Sequence, residues 1–193
     1  MKLSTYELVL CALCAAITCI LAPISVPLAG EVPISLATFA VMLSGILLGA
    51  KGGALSQIVY VLLGAAGVPV FAGWTGGLGI VLGVTGGYII GYIPMALVTG
   101  YLYRRFFADK GSARGAARFA GMAVSMLAGT AVLYLLGTAW FIAQTQMPLA
   151  GALAACVIPF LPGDIIKIIA VALIAPPIEA ALRRAAPQES AAV

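Results

Sequence analysis

The chain alternates long apolar runs with short polar or glycine-rich connections. A helix needs about 20 mainly apolar residues to cross the hydrocarbon core of a membrane. Six runs are predicted to do so, over residues 6–27, 34–50, 53–67, 79–103, 119–143 and 163–182. A further apolar piece, residues 149–160, is too short to be a seventh span. The pattern therefore predicts an all-α integral membrane protein with six transmembrane helices, forming a single membrane domain over residues 1–193.

The composition supports a membrane protein and gives little support to catalysis. Of 193 residues, 63% are hydrophobic and 8% are charged, whereas soluble domains carry roughly 25% charged residues. Histidine is absent, and three of the four cysteines lie together in the first run while Cys156 is far away. A metal site would lack imidazole and a fourth close ligand. We therefore expect no metal, no cofactor and no enzymatic activity, and cysteines that only pack.

The positive charges predict the orientation of the chain. Lys2, Lys51, the basic connection between residues 104 and 118, and Arg183 with Arg184 all fall on one side if six spans are counted. Lys and Arg collect on the cytoplasmic side, so both termini are predicted to be cytoplasmic. An alternative for the first run is a secretory signal, because Lys2 precedes a short apolar stretch with small residues. Its removal would leave the remaining orientation unchanged.

One stretch places opposite charges inside an apolar segment. Asp164 and Lys167 are three residues apart, so they share one face of a helix. An ionised side chain in hydrocarbon costs about 2.5 kcal/mol or more, and such residues usually face a partner, a cavity or a ligand. Alternatively, Asp164 caps the start of the last helix and Lys167 pairs with it or reaches water. The residues alone leave both interpretations open.

A group of glycine, aromatic and hydroxyl residues belongs to the same outer half as Asp164. Glycine permits a ligand to approach the backbone, and it equally permits tight helix packing beside an interfacial aromatic belt. Flat aromatic rings with a few hydroxyls suit a small, partly apolar molecule with a polar head. The group comprises Phe71, Trp74, Thr85, Gly86, Gly87 and Tyr88. Gln57 and Tyr60 in the third run are further polar groups that need a ligand or a neighbouring helix as partner.

The first run also carries a small-residue stripe. Ala12 and Ala16 are four residues apart, so they lie on one face of a helix. Small residues at this spacing let another helix pack closely. The spacing does not decide between a helix of the same chain and a helix of another subunit.

Five segments, taken in order, resemble the BioY family, the biotin-binding S components of energy-coupling factor (ECF) vitamin transporters. Together they cover nearly the whole chain at compatible spacing. The segments are residues 32–41 (VPISLATFAV), 48–57 (LGAKGGALSQ), 67–73 (GVPVFAG), 83–88 (GVTGGY) and 161–167 (LPGDIIK).

The resemblance implies an ECF S-component-like bundle in the bacterial cytoplasmic membrane. Such a protein captures biotin from outside and delivers it inward with a transmembrane coupling subunit and two ATPase subunits. The resemblance implies that Asp164 and Lys167 line the biotin pocket, and that Ala12 and Ala16 face the coupling subunit. The full predicted ligand-binding set is Thr38, Gln57, Phe71, Trp74, Thr85, Gly86, Gly87, Tyr88, Asp164 and Lys167.

Two other functions remain open from the sequence. An S component for riboflavin or thiamin would share the fold and the coupling surface. A self-contained small-molecule carrier is disfavoured, because such carriers normally show internal repeats and discontinuous helices. The two halves of this chain show no convincing repeat.

Overall fold

The computed structural model describes residues 4–26, 32–108 and 115–186. The predicted cytoplasmic charges Lys2, Lys110 and Arg114 lie outside these residues. The helices are α1 (Thr5–Leu21), α2 (Ala37–Ala65), α3 (Leu78–Leu82), α4 (Gly86–Tyr103), α5 (Ala116–Thr145), α6 (Leu149–Cys156) and α7 (Leu161–Ala185). Two short strands, β1 (Ser25–Val26) and β2 (Ile34–Ser35), pair antiparallel between α1 and α2.

Helix α2 contains a reversal of the chain at Gly49. This glycine has φ 73° and ψ −171°, a conformation that residues with a Cβ rarely adopt. Gln57 Nε2 lies 3.1 Å from Ser44 Oγ, although 13 residues of unbroken helix would separate the two positions by about 20 Å. Residues 37–48 and 50–65 therefore form an antiparallel hairpin. The reversal falls slightly before the boundary between the predicted runs 34–50 and 53–67.

With this hairpin counted as two, the described residues form six long helical segments. They are α1, the two halves of α2, α4, α5 and α7. The three helical stretches Ala37–Ala65, Ala116–Thr145 and Leu149–Ala185 are long and apolar enough to cross a membrane by length and composition. The predicted all-α membrane fold is therefore confirmed. The orientation of the termini stays a prediction.

Helix α4 lies between α2 and α5, and glycines permit its close packing. A Cβ placed on Gly100 would lie only 2.3 Å from the backbone carbon of Gly49. A Cβ on Gly129 of α5 would lie 2.1 Å from the Thr99 hydroxyl of α4. Without these side chains, the backbones of neighbouring helices can approach each other. These glycines therefore set the spacing between α4 and its two neighbours.

Helix α7 joins the two ends of the bundle. Asp164 lies in its first turn, and Glu179 lies beyond the prolines at positions 176 and 177. Glu179 pairs with Arg118 of α5, and the Tyr103 hydroxyl of α4 donates to Glu179 at 3.4 Å. This cluster connects the C-terminal part of α7 to α4 and α5. The opposite end of α7 carries the Asp164–Lys167 pair.

Candidate ligand-binding site

Asp164 and Lys167 form a buried ion pair. Nζ of Lys167 lies 3.1 Å from Oδ1 of Asp164, and the two residues are 8% and 4% exposed. Nζ also donates to the backbone oxygen of Ser35 and to Oγ1 of Thr38, both at 2.8 Å. An ammonium group has three N–H donors, so the protein uses all of them. The structure thus brings Thr38 together with Asp164 and Lys167, as the predicted ligand-binding set requires.

Tyr134 of α5 completes the coordination of Asp164, and the sequence analysis did not single it out. Its hydroxyl donates to Oδ2 of Asp164, while the Thr38 hydroxyl donates to Oδ1 at 3.2 Å. The carboxylate therefore links α2, α5 and α7. A signal was present in the sequence, because a tyrosine hydroxyl within an apolar span needs a hydrogen-bonding partner.

The ion pair borders a cavity in two parts, here called the small and the large chamber. The small chamber has a volume of about 40 Å³ and contacts Thr38, Tyr134, Asp164 and Lys167. The large chamber has a volume of about 310 Å³ and is mainly apolar, at the lower end of the usual range for ligand sites of about 300–1,000 Å³. The residues shared by both chambers are Val32, Pro33, Ser35, Tyr88 and Tyr92. The members of the ion pair therefore bind each other and also border a cavity, so ligand contact stays a prediction. Asp164 does not cap α7, because the residue at the N-cap is Phe160 and no side chain caps this helix.

Three of the predicted aromatic and hydroxyl residues line the large chamber. They are Phe71, Thr85 and Tyr88. Phe71 is 1% exposed, and its ring occupies the space that a Cβ on Gly64 would need. The Tyr88 hydroxyl shares a hydrogen bond of 3.0 Å with Thr138. Trp74, by contrast, is 67% exposed and lies outside the lining of both chambers.

Gly86 and Gly87 lie in the first turn of α4 and are buried against neighbouring elements rather than against either chamber. A Cβ on Gly86 would overlap the backbone oxygen of Val81, and a Cβ on Gly87 would lie 2.2 Å from Cβ of Trp140. Tight helix packing accounts for both glycines. They shape the site by fixing where α4 begins.

Gln57 is fully buried in a cluster of hydroxyl groups away from both chambers. Its Nε2 lies 3.1 to 3.3 Å from the hydroxyl oxygens of Thr18, Ser44 and Ser56. Its Oε1 has no hydrogen-bonding partner among the residues that the structure describes. In this arrangement Gln57 joins α1 to the α2 hairpin.

The small-residue stripe of α1 faces outward. Ala12 and Ala16 are exposed, whereas Cys11, Cys14 and Ala15 are buried against the rest of the bundle. Internal packing therefore uses a different face of α1. The outward face remains available for lipid or for a partner helix.

Comparison with known proteins identifies the family. The sequence model described as "BioY family" matches residues 1–184. The chain belongs to the BioY family. The resemblance seen in the five sequence segments is thus confirmed, and so is the predicted membrane location.

Several relatives and one solved structure are similar over most of their length. The probable biotin transporter BioY of Pyrococcus horikoshii is 41% identical over 169 residues, covering 88% of this chain and 93% of that protein. The biotin transporter BioY of Thermotoga maritima is 40% identical over 153 residues, covering 79% and 83%. A crystal structure of the S-component for biotin from an ECF-type ABC transporter is 27% identical, with a TM-score of 0.80 over 90% of this chain and 93% of that one.

Proposed function

We propose that this BioY-family protein is a biotin-binding S component that captures biotin from outside the cell and delivers it inward. The observation that carries the proposal is the buried Asp164–Lys167 pair at the edge of a mainly apolar cavity. The relatives named as biotin transporters supply the identity of the ligand. The cell membrane is its location, and its ligand is a small molecule rather than a nucleic acid.

The chemistry of biotin fits this cavity. Its fused ring and aliphatic chain suit the apolar walls around Phe71, and its ureido group offers two N–H donors and one carbonyl acceptor. A carboxylate such as Asp164 accepts from N–H donors, and charge-assisted hydrogen bonds are about twice as strong as neutral ones. Because the donors of Lys167 already have protein partners, its main effect in this network is to pair with the carboxylate of Asp164 and hold it in place.

In this proposal, the energy for transport comes from partner subunits and not from this chain. A transmembrane coupling subunit docks on the outward face of α1, where Ala12 and Ala16 allow close helix contact. Two ATPase subunits hydrolyse ATP, and the S component has no enzymatic role. The exposure of both alanines supports this arrangement.

Uptake of radiolabelled biotin by biotin-auxotrophic cells tests the function. Cells expressing the protein together with the coupling subunit and ATPases should accumulate biotin, and a thousandfold excess of riboflavin or thiamin should not compete. No accumulation of labelled biotin, together with ATP-dependent accumulation of labelled riboflavin or thiamin by the same cells, would instead indicate an S component for another vitamin. Equal accumulation without the ATPases would contradict the energy-coupled mechanism.

A further inference from the structure

The large chamber contains six hydroxyl groups, and half of them already bind the protein. Its hydroxyl-bearing residues are Ser35, Tyr60, Thr75, Thr85, Tyr88 and Tyr92. The Ser35 hydroxyl donates to the backbone oxygen of Ala22 at 2.8 Å, and the Thr75 hydroxyl donates to that of Ala72 at 3.0 Å. Tyr88 binds Thr138. These three hydroxyls are therefore occupied in the free protein.

Tyr60, Tyr92 and Thr85 differ from these residues, and the two tyrosines lie next to each other. Tyr60 lies on the second half of α2 and is 1% exposed, Tyr92 lies on α4, and their ring centroids are 6.2 Å apart. The ring of Tyr60 is held edge-on to Phe71, with centroids 5.6 Å apart and an interplanar angle of 79°. Neither phenol oxygen makes a hydrogen bond with any residue that the structure describes. A buried polar group left unpaired is unfavourable, so a ligand that pairs with it binds more tightly.

The dimensions of the chambers indicate which part of the ligand these hydroxyls meet. The small chamber, at about 40 Å³, holds little more than one water molecule, which occupies about 30 Å³ in the liquid. A fused ring system needs the large chamber, at about 310 Å³. Tyr60 lines only the large chamber, and Tyr92 lies where the two chambers meet.

We infer that Tyr60 and Tyr92 are direct ligand contacts, and that their hydroxyls bind the polar ring group of the ligand, a cyclic urea in the case of biotin. This inference rests on the proposed function and adds specificity-determining residues to it. A phenol both donates and accepts, so these hydroxyls can accept the ureido N–H that Asp164 does not and donate to the ureido oxygen. The inference predicts selection for a ligand whose ring carries both kinds of group.

Tyr60→Phe and Tyr92→Phe test the inference because each removes only the hydroxyl. Each variant should bind biotin about three- to tenfold more weakly than the wild type, since one neutral hydrogen bond to the ligand is lost. Tyr101→Phe is the matched control, because Tyr101 lies on α4 but is 54% exposed outside the cavity. The melting temperature of the ligand-free variants should not fall, because neither hydroxyl binds the protein.

Two biotin analogues locate the contact within the ligand. With biotin amide, which keeps the ureido ring but loses the carboxylate, the tyrosine variants should lose as much affinity as with biotin. With 2-iminobiotin, whose ring oxygen is replaced, the loss should be smaller. A loss that disappears with biotin amide would overturn the assignment to the ring.

The outcomes separate the two proposals. If the wild type binds biotin and both tyrosine variants match Tyr101→Phe, the inference is overturned while the proposed function stands. If the folded wild type does not bind biotin, the proposed function and the inference are both overturned. A fall in the melting temperature of the ligand-free tyrosine variants would show that the hydroxyls bind the protein, which also contradicts the inference.

Discussion

Replacing Asp164 with Asn tests whether the buried carboxylate holds the ligand. Asn has nearly the same shape, so its oxygen can still accept from Lys167 and its amide can donate to the Tyr134 hydroxyl. What disappears is the negative charge, and the Lys167 ammonium, with its side chain 10% exposed, then lacks a counter-charge. The substitution therefore changes the electrostatics of the site with little change in packing.

The expected effect on biotin affinity follows from the loss of a charged acceptor. A hydrogen bond to a charged group contributes about 1.5–3 kcal/mol to stability or binding. Because each factor of ten in the dissociation constant corresponds to about 1.4 kcal/mol, D164N should weaken binding at least tenfold. Calorimetric titration of the detergent-purified variant, at one pH and salt concentration, measures this change directly.

Glu179→Gln supplies the matched control on the same helix. It also removes one carboxylate charge from an ion pair, here with Arg118, but 15 residues of helix place it about 22 Å from Asp164. Both variants should melt at a lower temperature than the wild type, since each leaves a cation without its partner. Only D164N should bind biotin more weakly. An unchanged affinity in folded D164N, or an equal loss in E179Q, would refute the role given to Asp164.

Three further substitutions test other parts of the account. Tyr134→Phe removes a hydrogen-bond donor to Asp164 and should weaken biotin binding severalfold. Because Tyr134 acts through Asp164, the same substitution should change the biotin affinity much less when it is made in the D164N variant. Gly100→Ala should lower the melting temperature by several degrees because the added Cβ would overlap the backbone at Gly49. Gly163→Ala is the control and should leave the melting temperature unchanged, because no atom lies within 4 Å of its added Cβ. The double variant Ala12→Leu, Ala16→Leu should bind biotin as tightly as the wild type in titrations, but its ATP-dependent uptake in cells should fall at least tenfold. Normal uptake would show that this face of α1 does not contact the coupling subunit.

The sequence predicted the all-α membrane fold because apolar length is a direct physical requirement of the membrane, although the predicted run 79–103 is interrupted between α3 and α4. The reversal in α2 was placed slightly too late. Glycines occur at positions 49, 52 and 53, and any of them could have supplied the positive φ. The choice of Gly49 depends on tertiary packing, since Arg104 donates to the Leu47 backbone oxygen at 3.0 Å and its side chain fills the space beside Gly49.

The site was predictable where its chemistry was local. Asp164 and Lys167 meet because three residues of helix separate them. Tyr134 reaches the same carboxylate from a different helix, 30 residues earlier in the chain, and no periodicity within one segment reports such a contact. Likewise, the positions of Trp74 and Gln57 outside both chambers depend on how the loops and helices pack.

Titration of the purified wild-type protein with biotin tests the central claim most directly. The account predicts saturable binding of about one biotin per chain, with riboflavin and thiamin giving no heat of binding under the same conditions. Absence of biotin binding by protein shown to be folded would contradict it, and the Asp164–Lys167 pair would then serve only to join α7 to the rest of the bundle.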